Sequence, residues 1–353
     1  MADPARKLLV TGGAGFIGAN FVRHWTERHP SDEIVVLDSL TYAASRDNLA
    51  GLRQVRLIEA DIRDSDRVRE LLAGGIRTLV HFAAETHVDR SIRDPDSFVD
   101  TNLGGTHSLL KAARAAWLDP GDGQAHRFHH VSTDEVYGSL SEDGRPFAET
   151  APYAPNSPYS ATKAGSDHLV RAYHRTYGLE TSVTNCSNNF GPYQYPEKLI
   201  PLFLINCLEG RALPLYGDGR HVRDWLHVKD HCRGIELVLE RGRPGETYNI
   251  GGSAELANSV VVERICNGVD EAFRSDPSLA RRFPNAPAAR GEPSTSLKTR
   301  VADRPGHDRR YAIDARKIER ELGYRPAQSF EQGLASTIRW YIDNETWWRR
   351  LLV

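Results

Sequence analysis

Eight residues, Thr11-Gly12-Gly13-Ala14-Gly15-Phe16-Ile17-Gly18, constrain the folding of this chain more than any others. They follow directly on the run Lys7 to Val10, which reads as a buried strand. They lead into a helical apolar pattern carried by Phe16, Ile17, Phe21 and Val22. Glycines at 12, 15 and 18 let a backbone turn tightly, approach a pyrophosphate and pack a helix closely on a sheet. The helix N-terminus offers unpaired N–H groups to the anion. A glycine-rich loop alone is a weak signal; strand, loop and helix in that order make a strong one. A second strand, Ile34 to Leu37, ends at Asp38, about 20 residues past the last glycine, where a ribose-binding acid belongs. Its charge would repel a 2′-phosphate, so the pattern predicts NAD rather than NADP.

Strand and helix go on alternating. Val55 to Ile58 reads as a strand ending near Asp61 and Ile62, a plausible partner for the adenine. Arg67 to Leu72 reads as a helix and Thr78 to Phe82 as a fourth strand. Phe98 to Ala116 reads as one long helix with Thr101 and Asn102 near its start, and Phe128 to Ser132 as a further strand. The fourth strand runs into Ala83-Ala84-Glu85-Thr86-His87, whose small residues let a cofactor come close to the main chain. The pattern predicts an α/β fold with a doubly wound parallel Rossmann sheet and ligands beyond the carboxyl ends of its strands. Residues 1–190 are predicted to form the cofactor-binding domain and to carry the catalytic groups. Residues 191–353, where the alternation turns irregular, are predicted to form a smaller nucleotide-sugar-binding lobe, with the chain crossing between the two.

A length of 353 residues allows one large core plus such a lobe. The net charge of −2 supplies no basic field for nucleic acid. Cys186, Cys207, Cys232 and Cys266 are scattered without a Cys-x-x-Cys pair, which argues against structural zinc and a disulfide framework and fits a reducing cytoplasm. No apolar run is long enough for a bilayer, and Met1 to Lys7 lacks the pattern of a signal peptide. His87 and His307 have no partner at ligand spacing, so no metal is predicted.

Ser132-Thr133-Asp134-Glu135-Val136-Tyr137-Gly138 follows an apolar run and should sit where a buried strand opens into a loop. Adjacent carboxylates there are costly if buried without compensation; taken alone they could equally cap a turn facing water. Downstream, Tyr159 and Lys163 stand four apart in a helix opened by Pro158, on one side of it. An ammonium beside a phenol favours the phenolate, which would let Tyr159 act as a base near neutral pH. Asn188 and Asn189 fall at the carboxyl end of another strand, Thr181 to Asn185. Arg223, before Trp225, and Arg304, Arg309 and Arg310 are local basic points. A guanidinium can bind a diphosphate through two parallel hydrogen bonds.

These motifs together resemble the extended short-chain dehydrogenase/reductases and, within them, the nucleotide-sugar 4,6-dehydratases. The likeness covers nearly the whole chain. It is carried by Thr11 to Gly18, Ala83 to Ser91, Ser132 to Gly138, Tyr159 to Lys163, Ser187 to Pro192, Arg223 to Trp225 and Asp303 to Asp308. Thr133-Asp134-Glu135 discriminates, because sugar epimerases resembling this chain lack the acid pair. The resemblance implies that Tyr159 removes the sugar 4-hydroxyl proton as hydride leaves C4 for NAD. Thr133 would help hold that hydroxyl, and Lys163 would sustain the phenolate. Glu135 would then act as base at C5, protonated Asp134 would give its proton to the departing 6-hydroxyl, and hydride would return to C6. Opposite duties for neighbouring carboxyls require unlike pKa values, through mutual repulsion and unequal burial.

The candidate cofactor-binding residues are Gly12, Gly15, Phe16, Ile17, Gly18, Asp38, Ser39, Leu40, Thr41, Asp61, Ile62, Phe82, Ala83, Ala84, Glu85, Thr101, Ser132, Tyr159, Lys163 and Asn189. By the same likeness the substrate surface comprises Thr86, His87, Thr133, Asn188, Lys198, Leu199, Pro214, Leu215, Tyr216, Arg223, Asn258, Asp303, Arg304, Pro305, Gly306 and His307. The implied substrate is a nucleotide-diphosphate hexose. The resemblance favours dTDP-glucose and leaves UDP, CDP and GDP sugars open. A homodimer through the helices near Phe98 and Tyr159 is a further family expectation. One stretch departs from the family: Arg274 to Thr299, rich in Pro, Ala, Arg and Ser, reads as a solvent-exposed loop. Two other readings stand beside this one, a nucleotide-sugar epimerase or dehydrogenase without elimination, and a non-catalytic NAD-binding regulatory protein.

Overall fold

The computed structural model, which describes residues 5–303 and 307–352, runs β1 (Lys7–Thr11), α1 (Phe16–Arg28), β2 (Glu33–Asp38), β3 (Val55–Glu59), α2 (Ser65–Ala73) and β4 (Thr78–His81). Then come α3 (Val88–Arg93), α4 (Pro95–Phe98), α5 (Thr106–Trp117), β5 (Arg127–Thr133), α6 (Pro158–Tyr177), β6 (Thr181–Cys186) and β7 (Asn188–Phe190). Next are α7 (Leu199–Glu209), β8 (Leu213–Tyr216), β9 (Val222–His227), α8 (Val228–Arg241), β10 (Thr247–Ile250), β11 (Glu255–Ala257) and α9 (Asn258–Ser275). The chain closes with α10 (Leu279–Arg282), β12 (Lys298–Val301), α11 (Arg316–Leu322), α12 (Phe330–Asp343) and α13 (Glu345–Arg350).

Seven strands pair in parallel in the order β10-β6-β5-β4-β1-β2-β3. Helices cover both faces, which is why Leu8 to Val10 and Ile34 to Leu37 are apolar at every position instead of alternating. Strand order reverses between β1 and β4, and a crevice opens there at the carboxyl ends. Residues of β10 complete this sheet from far along the chain. The remaining strands form two small sheets, β11-β9-β7 and β12-β8. Beside them a separate apolar cluster joins α7, α9 and α12 through Phe203, Phe273, Phe330 and Ile338. Among the described residues no helix is long and apolar enough to cross a membrane. All four cysteines are buried and unpaired.

Two expectations need correction. Phe98 to Ala116 is not one regular helix: α4 gives way to a π-helical stretch, Val99–Gly105, before α5 begins. Nor is Arg274 to Thr299 a solvent-exposed loop. Leu279, Phe283 and Ala286 are at most 1% exposed and belong to the α7–α9–α12 cluster. Ser294 is buried too, its hydroxyl donating to Asp270, and the segment ends in β12, paired in parallel with β8. At the C-terminus both tryptophans pack on the body: Trp348 Nε1 donates to the Tyr341 carbonyl (2.8 Å) and Trp347 Nε1 to Asn48 Oδ1 (2.8 Å).

Phe283 separates the two accounts of that segment. Truncating a buried phenylalanine costs about 3–5 kcal/mol, whereas a surface change costs close to nothing. Phe283→Ala should therefore lower the stability of the chain by that amount in urea unfolding followed against the parent.

Candidate active site

The crevice begins where main chains meet. Gly12 has φ +70°, and a Cβ on it would lie 2.5 Å from the Ala83 nitrogen; one on Gly18 would lie 2.2 Å from the Gly12 oxygen. No side chain fits at either place, so the loop after β1, the helix behind it and the end of β4 close to backbone contact. Asp38 closes the end of β2. Its Oδ2 accepts from the Ala14 N–H and its Oδ1 from the Leu40 N–H, both at 2.9 Å. Burial raises its pKa against the pull of these two donors.

The cavity so formed has a volume of about 420 Å³. Every residue predicted for the cofactor lines it except Leu40, whose backbone is held left-handed (φ 50°) with its N–H on Asp38. A floor of close-packed glycines at a helix N-terminus, with a carboxylate at the next strand end, fits the diphosphate and ribose of a dinucleotide.

The same cavity receives the five predicted catalytic residues, Thr133, Asp134, Glu135, Tyr159 and Lys163. Thr133 ends β5 and caps a short 3₁₀ turn, Asp134–Tyr137, its hydroxyl accepting from the Glu135 N–H at 3.3 Å. Both carboxyls are thereby fixed in the first turn. Their surroundings differ. Asp134 is 3% exposed and its Oδ2 has no hydrogen-bond partner among the described residues, while Glu135 is only partly buried. Burial, then the charge of Glu135, pushes the Asp134 pKa well above the usual carboxyl range.

Helix α6 presents the other two groups. Ser157 caps it in a reciprocal box with Ser160, and Pro158 occupies the first turn, so Tyr159 and Lys163 follow on one face. Lys163 Nζ donates to the Val131 carbonyl (2.9 Å) and lies 3.3 Å from His130 Nε2. Burial pulls its pKa down to about 8, opposed by Asp167 one turn along the helix. The predicted lowering of the Tyr159 pKa is not what the surrounding protein produces. Burial, then the charges of Glu135 and Cys186, raises it, and the hydrogen bond of Thr133 opposes them. Spacing put the lysine on the right face of the helix but could not weigh its charge against desolvation.

Asn102 ties these parts together from the π-helical stretch. Its side chain accepts from the Glu85 N–H (2.8 Å) and donates to the Glu85 carbonyl (3.0 Å) and to Thr162 Oγ1 (3.0 Å). This links the loop after β4 to the turn of α6 that carries Tyr159 and Lys163. Of the predicted substrate residues, Thr86, Thr133, Asn188 and Lys198 also line the cavity, and the buried Asn188 Oδ1 has no partner among the described residues.

His87, Leu199, Pro214, Leu215, Tyr216, Arg223, Asn258, Asp303 and His307 lie outside that lining. Arg223 is buried, donates to the carbonyls of Val222 (2.8 Å) and Asp308 (2.9 Å), and stacks on Tyr311 at 4.4 Å. Asp303 lies within 3.3 Å of His221 Nε2 and 2.7 Å of His307 Nδ1, and the two imidazoles stack at 3.6 Å. Arg304, Pro305 and Gly306 fall outside the described residues. Sequence reasoning missed Gln194, Tyr195 and Glu197 on the far wall of the cavity; their position beside Lys198 was the only signal.

A sequence model described as GDP-mannose 4,6 dehydratase matches residues 9–337. The dTDP-glucose 4,6-dehydratase of Xanthomonas campestris pv. campestris (strain B100) is 53% identical, covering 96% of this chain and 94% of that protein. The dTDP-glucose 4,6-dehydratase of Neisseria meningitidis serogroup B is 50% identical, covering 98% and 96%. Among solved structures, the dTDP-glucose 4,6-dehydratase DesIV from Streptomyces venezuelae, crystallised with NAD bound, superposes with a TM-score of 0.87. It is 50% identical and covers 98% of this chain and 99% of that one.

The burial of Asp134 has a thermodynamic signature. A carboxyl whose pKa rises on folding supports stability below the unfolded value, near 3.9, and loses that support as pH climbs through the folded value. Asp134→Asn removes the penalty. It should stabilise the chain at pH 7, with the gain shrinking as pH falls and vanishing near pH 4. Melting temperatures of parent and variant across that range test this.

Proposed function

Because the chain belongs to the GDP-mannose 4,6-dehydratase family, we propose that it is an NAD-dependent nucleotide-sugar 4,6-dehydratase converting dTDP-glucose to dTDP-4-keto-6-deoxy-glucose and water. The observation that carries this reading is the unequal burial of Asp134 and Glu135 in the cavity that also holds Tyr159 and Lys163. The glycine loop, Asp38 and Asn189 would hold NAD, which when bound supplies the hydride acceptor at C4 and the hydride donor at C6.

The chain's own groups would manage the protons. Thr133 and Tyr159 grip the sugar 4-hydroxyl, and Tyr159 takes its proton. Since burial opposes a free phenolate, that transfer depends on the charge of Lys163. The resulting 4-ketone acidifies C5–H, which Glu135, the more exposed carboxylate, removes. Asp134, kept protonated by burial and by its neighbour's charge, delivers a proton to the departing 6-hydroxyl, which leaves as water. Glu135 then returns its proton to C5, and the proton that Tyr159 took from the 4-hydroxyl replaces, through solvent, the one that Asp134 gave up. NAD is regenerated in each cycle, so no second redox substrate is consumed.

In the cell this reading places the chain in the cytoplasm, in keeping with four unpaired thiols. It also makes the chain a homodimer through the helices near Phe98 and Tyr159, where Ile92 (42%) and Val99 (45%) are exposed.

Incubation with dTDP-, UDP-, CDP- and GDP-hexoses without added NAD, followed by mass spectrometry, tests the assignment. Loss of water should be greatest with dTDP-glucose; an isobaric product would indicate epimerisation, and no turnover a regulatory protein. Glu135→Gln should still oxidise C4, with reduced cofactor accumulating, while elimination slows by about 10²–10⁴-fold. Product formation at the parental rate would remove Glu135 from its role. Tyr159→Phe should abolish the first oxidation as well.

A further inference from the structure

The two walls of the cavity are joined by side chains that none of the chemistry uses. On one wall is the loop after β2, which contributes Ser39, Thr41, Ala43 and Ala44 to the lining. On the other is the segment before α7, contributing Gln194, Tyr195, Glu197 and Lys198. Tyr42 crosses between them: its hydroxyl donates to Glu197 Oε1 at 2.9 Å and its ring meets Tyr195 edge-on at 5.4 Å. Arg90, from α3, lies over the same ring at 3.6 Å and 3.8 Å from Glu197 Oε2, and His87 Nε2 is 3.6 Å from that oxygen. The Glu197 side chain is only 14% exposed, so these contacts act in a poorly screened place. Burial and the charge of Glu197 keep the Tyr42 phenol protonated, which makes it the donor.

The loop that carries Tyr42 is also the loop that frames the cofactor groove. Its near end is fixed by Asp38 to the Ala14 N–H. At its far end the Ser45 N–H and Asn48 Nδ2 donate to the Ala14 carbonyl, at 3.1 and 2.8 Å. Asn48 in turn accepts from Trp347, in α13. The loop is therefore pinned at both ends to the glycine turn and drawn across to the opposite wall at its middle. The middle contact thus ties the loop after β2 to the opposite wall of the cavity.

We propose that Tyr42, Glu197 and Arg90 form a clasp that retains NAD between turnovers. The proposal rests on the cofactor reading given above, and it answers a demand of that reading: a cofactor regenerated in every cycle gains nothing by dissociating. The three are positioning residues, acting on the loop and not on the sugar.

Tyr42→Phe keeps the ring under Arg90 and edge-on to Tyr195 and deletes only the hydroxyl, so folding should survive; Glu197→Gln is a second, equally conservative probe. The holoenzymes are purified, and bound NAD is measured after repeated gel filtration and as a release rate on dilution. Each variant should lose NAD on the order of tenfold faster than the parent, as expected for one hydrogen bond to a charged group. Activity lost on dilution should return when NAD is added, which a merely structural defect would not allow. Release at the parental rate in both variants, or loss that NAD does not restore, overturns the clasp while leaving the cofactor assignment intact. A parent that neither carries nor binds NAD overturns both.

Discussion

The loop after β1 lies so close to the chain leaving β4 at Gly12, and to the first helix at Gly18, that neither glycine could bear a side chain. Much of the architecture follows from that approach. It brings the N-terminus of the first helix to the crevice and leaves Asp38, at the end of β2, to anchor the loop through the Ala14 and Leu40 N–H groups. The parallel order then carries β5 to the far side of β4, so the residues leaving its carboxyl end face the same opening. Fold and site are in this sense one geometry: chemistry collects where strands end, and the glycines decide which end is open.

Within the opening, environment separates groups that are chemically alike. Asp134 and Glu135 are neighbours in sequence and share a turn, yet one is enclosed and the other reaches the cavity more freely. Desolvation favours the neutral form of the first, and the charge of the second adds to it. A general acid and a general base can then stand side by side near neutral pH. Tyr159 lies under the same influence, since both burial and the Glu135 charge oppose its ionisation. Lys163, itself brought down to about 8 by burial, still carries its charge at neutral pH and acts in a poorly screened place.

Much of this was readable in the sequence because it depends on local order. Strand, glycine turn and helix adjoin one another, and the alternation from Lys7 to Ser132 specifies a parallel sheet without knowledge of any distant contact. Arg274 to Thr299 misled because its Pro, Ala and Ser content looks like a loop. The buried positions Leu279, Phe283 and Ala286 fall on a four-residue helix and the turns after it, so no sustained period marked them as core. Other features had no local trace. Tyr42 and Glu197 are 155 residues apart, and no period or motif marks two side chains that meet only after the second half docks. The balance at Tyr159 was equally out of reach, because desolvation depends on what encloses a group and not on its neighbour four residues away.

The widened turn from Val99 to Gly105 bears on how such a chain tolerates change in length. A π-helical stretch accommodates an additional residue within an otherwise α-helical path. Dropping one residue there would let the stretch relax to ordinary winding and keep both flanking helices, at little apparent cost. The amide of Asn102 would nevertheless swing by about 100° around the axis, away from Glu85 and Thr162, and the loop after β4 would be cut loose from the helix that carries Tyr159. The irregularity thus acts as a phase-setter, and single-residue deletions should be far less forgiving in this stretch than in the exposed loop around Gly121 to Gly123.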